Sequence, residues 1–411
     1  MWKRIIRISW LIVVCNFFAQ SLLTSIITLG WIYRWVQYDI TIRLFKKSSI
    51  TQNQNKNNQW RQFSRSNSPI IKLQKIPNFL WRQQGFTSGE QPPNAIVNQF
   101  HKFFHSLWLN CKIGFSGILT TWSLTAIPSI IWAMAWYTGW HISFNKMYEE
   151  SATGVSLSLL GIFLFSVIMF YLPLAQARHS FTQDWRSFFD YRFIKTMVLQ
   201  CPLQVFFLAF GYALCGLIAT LIKIMPLFFP AMNPQLELLS SSEALKFLNG
   251  YYFYTGLILL LLFFILKTCT GGIYASTLRK MWEKKLLSKE SFHTHEVNIL
   301  ELFHFEYGVN YRQPKLLTQA VKFPFFFSYK TIVLSATFIV WSIFNFLPFV
   351  SEFLNYYPFW GFLNQPLVQL PCFRYVPDRL QRKPLQNKPS DIAFSSEFKI
   401  ARSVSIEEFN L

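Results

Sequence analysis

Residues 151–177, SATGVSLSLLGIFLFSVIMFYLPLAQA, run without a single charged side chain. As a helix they would extend about 40 Å at 1.5 Å per residue. A hydrocarbon core about 30 Å thick needs only about 20 such residues, and a helix satisfies its own backbone hydrogen bonds there. Four further stretches share this property: Ile8–Tyr33, Ile113–Ile142, Thr196–Ile222 and Thr331–Ser351. Phe247–Leu266 is just long enough to join them. The reading is an all-α, polytopic transmembrane helical bundle of about six spans, with amphipathic interfacial helices.

Composition agrees with a chain solvated by lipid. Only 14% of the 411 residues are charged, while 52% are hydrophobic and 19% aromatic; soluble domains carry roughly 25% charged residues. The net charge of +20 would suggest nucleic acid in a soluble protein. Here its distribution gives a better account. The loops 34–112, 178–195 and 267–330 hold 12, 4 and 10 Lys/Arg, whereas 141–150 and 223–246 hold one and two. Alternating basic and poor loops follow the positive-inside pattern. It places the basic loops in the cytoplasm and the chain in a plasma (inner) membrane as a multi-pass protein. The expected partners are the lipid bilayer and other membrane proteins, not nucleic acid.

The chain divides accordingly. Residues 1–36 form a first membrane segment, a span or a re-entrant hairpin. Its uncharged run is too long for a signal peptide's apolar region of about 7–15 residues and no A-x-A-like site follows, so it is expected to be retained. Residues 37–94 read as a basic, partly disordered linker, with 48–68 rich in Asn, Gln and Ser. Residues 95–351 form the helical core, with spans near 113–142, 151–177, 196–222, 247–266 and 331–351 and a basic loop at 267–330. Ala95–Cys111 has an apolar face (Phe100, Phe104, Trp108) expected to lie on the membrane surface, and Tyr274–Lys289 a helical extension of the preceding span. Residues 352–376, broken by Pro358, Pro366 and Pro371, read as an interfacial or seventh membrane segment, and 377–411 as a polar disordered tail.

Catalytic signatures are scarce. The six Cys show no C-x-x-C pair, so neither a disulfide framework nor a zinc site is read. His101 and His105 share a helical face as in histidine boxes, yet the chain has too few His, seven, to complete such a site. His293, His295, Glu301 and His304 form the densest potential metal set, since Glu301-x-x-His304 is half of a carboxylate-bridged pair. Without a second Glu-x-x-His, the expectation is a solvated polar face, with no metal and no cofactor. The spans hold no ionisable group of the kind that marks ion pathways. Their polar residues (Gln20, Thr24 and Thr28; Gln200 and Gln204; Asn345) suit interhelical hydrogen bonds. Ala209/Ala213 and Gly211/Cys215 are small-residue pairs for close packing.

The stretch Pro173-Leu-Ala-Gln-Ala-Arg178, then Asp184-Trp-Arg186-Ser-Phe-Phe-Asp190-Tyr-Arg192, resembles a pattern in uncharacterised bacterial polytopic membrane proteins, as does Gly30-Trp-Ile-Tyr-Arg-Trp35. That resemblance implies an integral membrane protein and no particular chemistry. Physically, Arg178, Arg186 and Arg192 suit lipid phosphates at the interface, with Asp184 and Asp190 as partners. The leading functional expectation is a non-enzymatic scaffold or assembly partner. The alternatives are a transporter or channel for a neutral or lipid-like solute, using kinks at Pro128 and Pro202 beside Gln200 and Gln204, and a membrane enzyme acting on lipids.

Overall fold

The computed structural model describes residues 2–48, 50, 56–67, 69–73, 75–80, 95–138, 152–233, 240–310 and 316–354. These residues are 85% helical and contain no strand. The helices are α1 (Trp2–Ala19), α2 (Leu22–Phe45), α3 (Lys56–Ser66), α4 (Ala95–Tyr137), α5 (Thr153–Thr182), α6 (Trp185–Phe188), α7 (Tyr191–Gln200), α8 (Pro202–Met232), α9 (Ser241–Glu283), α10 (Thr294–Leu302) and α11 (Leu316–Leu354). Five of them, α4, α5, α8, α9 and α11, are long and apolar enough to cross a membrane. Large side chains such as Leu159, Phe163, Phe207, Leu214, Ile258 and Ile339 lie exposed on their outer faces. Exposure on that scale suits lipid and would be an aggregation liability in water.

Among the described residues five helices qualify where about six spans were expected, because the first apolar run, read as a span or a re-entrant hairpin, is two helices. The chain breaks at Gln20-Ser21 and folds back on itself. Thr24 donates to the Phe18 carbonyl at 2.5 Å and Thr28 to that of Cys15 at 3.2 Å. The stripe of Thr24 and Thr28 thus closes a helical hairpin. α2 then continues past the apolar run to Phe45 and becomes the central post of the molecule, packing against α4, α9 and α5. Close approach is built into its contact with α4. A Cβ on Gly30 would lie 1.9 Å from the Asn110 carbonyl oxygen, and one on Gly114 would lie 2.0 Å from that of Ile26. Only glycine allows backbones to meet so closely.

Other boundaries shift for local reasons. The span expected at 196–222 begins at Pro202, because Cys201 leaves the helical region (φ −133°, ψ 51°). A residue before proline is pushed from the helix, while proline itself fits the first helical turn. No breaker separates Ala95–Cys111 from the span that follows, so α4 is one 43-residue helix. Its apolar face, with Phe100, Phe104 and Trp108, is exposed, while Ser106 and Asn110 turn into the protein. The flexible linker expected at 48–68 is corrected over Lys56–Ser66. Trp60 and Phe63, one turn apart, pack on Phe45 at 5.1 and 5.2 Å, and Phe63 also meets Phe303. The α9 extension runs to Glu283, as expected in kind. Apart from the last residues of α11, the segments 352–376 and 377–411 lie outside the described residues.

Candidate functional site

The apolar runs that end in a cation give the site its chemistry. Tyr33 is followed by Arg34, Ala177 by Arg178 and Leu266 by Lys267. Cations in such positions ordinarily snorkel to the interface. In this fold all three are buried, at 4%, 2% and 4% exposure. The helices continue beyond the charge-free windows, and helical periodicity carries each cation onto the packed face. For Lys267 that face already holds Phe263, Thr270, Tyr274 and Thr277.

Arg178 is the hub. Its Nε and Nη2 donate to the two carboxylate oxygens of Glu296 at 2.9 and 3.3 Å, and Nη1 donates to Asp190 at 2.8 Å. Nη2 also reaches the Ser291 carbonyl at 3.3 Å, and the guanidinium sits 3.6 Å from the Phe193 ring centroid. Glu296, with no exposed surface, further accepts from the Tyr274 hydroxyl and from the His293 backbone N–H at 2.8 Å. Asp190, partly solvated, caps α7 by accepting from the Phe193 N–H. One cation and one fully buried carboxylate therefore tie together α5, α7, α9 and α10. Removing such ions from water costs several kcal/mol each and is offset only when their hydrogen bonds are filled; these are filled.

Two satellite networks lie beside the hub. The Lys267 ammonium donates to Gln176 Oε1 and lies 5.1 Å from the Phe263 ring, while Gln176 Nε2 donates to Thr121 at 2.9 Å. This chain links α9, α5 and α4. Arg34 Nη1 donates to Asn110 Oδ1 at 2.8 Å and lies 3.4 Å from Ser106 Oγ, joining α2 to the inward face of α4. Gln37 adds a tie from α2 to the Phe181 carbonyl at 3.0 Å.

The structure disperses the candidate metal residues, and the solvated polar face expected of them is corrected in part, since His295 and the neighbouring Glu296 are buried. His293 caps α10 through Nδ1, which accepts from the His295 N–H, and its Nε2 lies 3.4 Å from Asp184. His295 is buried against the Phe181 ring at 5.0 Å. Its pKa is pushed down to about 4, first by burial and then by the positive charges of Lys72 and His293. Glu301 pairs with Lys289 at 2.5 Å on the surface, and His304 ends α10 in a left-handed conformation (φ 57°). Among the described residues no group of three His, Cys, Asp or Glu could hold a metal ion.

Arg178 corrects the expectation of three arginines on lipid phosphates, since its guanidinium is buried and committed to carboxylates. Arg186 and Arg192 remain exposed. The expected pairing of Asp190 with an arginine is present, on Arg178; Asp184 instead caps α6 by accepting from the Arg186 N–H at 3.0 Å. Glu296, Lys267 and Arg34 were not legible as site residues by motif. The signal that could have found the two cations is the helical register carried one turn past each apolar run. No protein-family model, curated protein or solved structure matches the chain.

Proposed function

We propose that this is a non-enzymatic integral membrane protein that acts as a scaffold or assembly partner for other membrane proteins, in the plasma (inner) membrane with its basic loops in the cytoplasm. The observation that supports this reading is the Arg178–Glu296–Asp190 core. The buried Arg178 and Glu296 are committed to each other, and with Asp190 and the Ser291 carbonyl they tie the segments between α5 and α7 and between α9 and α10 to the bundle. A fixed platform at the basic end, above an apolar belt, is what a membrane-embedded docking partner requires. The transporter reading asked for a polar passage between the spans carrying Pro128 and Gln204. Those residues lie on α4, whose main neighbours are α5 and α2, and on α8, whose main neighbours are α11 and α9.

Co-purification of the tagged protein from mild detergent tests the proposal. Recovery of the same membrane proteins in repeated preparations, reduced by the charge reversal Glu301→Lys on the exposed face of α10, is the expected result. Recovery of a lone monomer each time would overturn it. For orientation, single-Cys variants at Lys289 and Glu243, in a background lacking native thiols, should differ toward a membrane-impermeant reagent: only position 243 should react in intact cells.

A further inference from the structure

We infer that a groove between the start of α2 and the middle of α4 is a binding site for one anionic glycerophospholipid from the leaflet adjoining the basic loops. The groove has a volume of about 850 Å³, with Trp185 and Phe189 among its lining residues, inside the about 300–1,000 Å³ range of ligand sites. Its walls are Ile26, Phe115 and Leu119, with Trp108 toward the basic end. Phe115, Leu119, Trp108 and Trp185 are each more than half exposed, so the groove opens where lipid is the solvent.

Its polar floor is already satisfied. Ser116 Oγ lies 3.1 Å from His179 Nε2, and the Thr24 hydroxyl donates to the Phe18 carbonyl. Nothing deep in the groove calls for a polar ligand group, and acyl chain fits there. The charge stands at the mouth instead. Lys112 lines the groove, is exposed, and has no ion-pair partner among the described residues. Arg186 holds its guanidinium 5.8 Å from the Trp185 ring centroid, beside the same mouth. Among the described residues neither side chain is in an ion pair, although the Asp184 carboxylate sits on the Arg186 backbone N–H; two such cations, flanked by two indoles, complement a phosphate headgroup whose chains lie in the groove. This site does not depend on the scaffolding proposal.

Native mass spectrometry of the purified full-length protein in mild detergent, titrated with phosphatidylglycerol or phosphatidylcholine, tests the inference. One phosphatidylglycerol should be retained about 30-fold more tightly than phosphatidylcholine, the discrimination expected of two basic residues at about 1 kcal/mol each on anionic lipid. Lys112→Gln with Arg186→Gln should abolish that preference. Leu119→Trp, which fills the groove from an exposed position, should weaken retention of both lipids. Equal retention of the two lipids by the unsubstituted protein, or retention unchanged in either variant, would overturn the site. Circular dichroism of each variant confirms that the helices are intact.

Discussion

Two regions of this bundle are held by different physics. At the basic end, α5, α7, α9 and α10 meet on Arg178, Glu296 and Tyr274, groups that bond in fixed directions. Along the α8–α11 seam the contact is aromatic: Tyr212 lies 5.4 Å from Trp341 and 5.7 Å from Phe344, and a Cβ on Gly216 would come within 2.8 Å of the Phe344 ring. Within lipid, moving an apolar side chain from acyl chain to a neighbouring helix gains little, because lipid tails are equally apolar. The seam therefore depends on shape and dispersion summed over many weak contacts. It even leaves the Trp341 indole N–H without a hydrogen bond among the described residues. The ionic core depends on a few groups, each of which is hard to remove singly.

The largest expected effect follows from that difference. Arg178→Ala leaves the Glu296 carboxylate buried with no cation, and breaking one side of a buried pair costs about 3–5 kcal/mol. Thermal unfolding in detergent should show that loss. Arg178→Met combined with Glu296→Gln removes both charges and should be less destabilised than the two single changes added together. Strict additivity would mean that the ions do not act as a pair, and the contrast with the seam would fail.

The same end should carry an acid sensitivity that the seam lacks. His295 is held neutral in the folded protein, with its pKa near 4 against an ordinary 6.5. Below pH 6.5 the unfolded chain binds a proton that the folded chain refuses, so stability rises with pH across this window. The contribution is complete above about pH 6.5 and is lost progressively as pH falls toward 4, with an upper limit of about 3 kcal/mol. His295→Phe should flatten the unfolding midpoint between pH 6.5 and 4 relative to the unsubstituted protein. Identical pH profiles would show that His295 does not titrate against burial.

What was legible in the sequence divides along the same line. Apolar length and the absence of charge identify a helical membrane protein, because the bilayer imposes both in one dimension of the chain. A re-entrant hairpin was one of the two readings of residues 1–36, but its break at Gln20-Ser21 was not legible: neither residue is a strong helix breaker, and the hairpin is closed by threonines bonding carbonyls across the fold. The glycine contact of α2 with α4 was missed as well, since Gly30 and Gly114 form no pair in sequence and meet only in space. Small-residue spacing drew attention instead to Gly211, whose added Cβ would make only an ordinary 3.6 Å contact. For the ionic core, Glu296 lies 118 positions from Arg178. Local spacing cannot join such residues, although it did suggest an arginine partner for Asp190.

The smallest effect belongs to a polar tie between α11 and α5, near the seam. Asn345 on α11 donates from Nδ2 to Ser166 Oγ on α5 at 3.1 Å, and Ser342 Oγ lies 3.2 Å from the same oxygen. Ser166 donates its own proton to the Ile162 carbonyl at 2.6 Å, so it meets Asn345 as an acceptor, while the one Ser342 proton is shared between Ser166 and the Phe338 carbonyl at 3.0 Å. Asn345→Ala removes the Asn345 donor and leaves Ser166 bonded to the Ile162 carbonyl. Interhelical hydrogen bonds in membranes average about 0.6 kcal/mol, because the separated helices also find polar partners. A shift of that size in the unfolding midpoint, several-fold smaller than that of Arg178→Ala, is therefore expected. A loss above about 2 kcal/mol would exceed what that bond can supply. It would mean that α11 is fastened to α5 by polar contacts much as the basic end is, and that aromatic shape is secondary even along the seam.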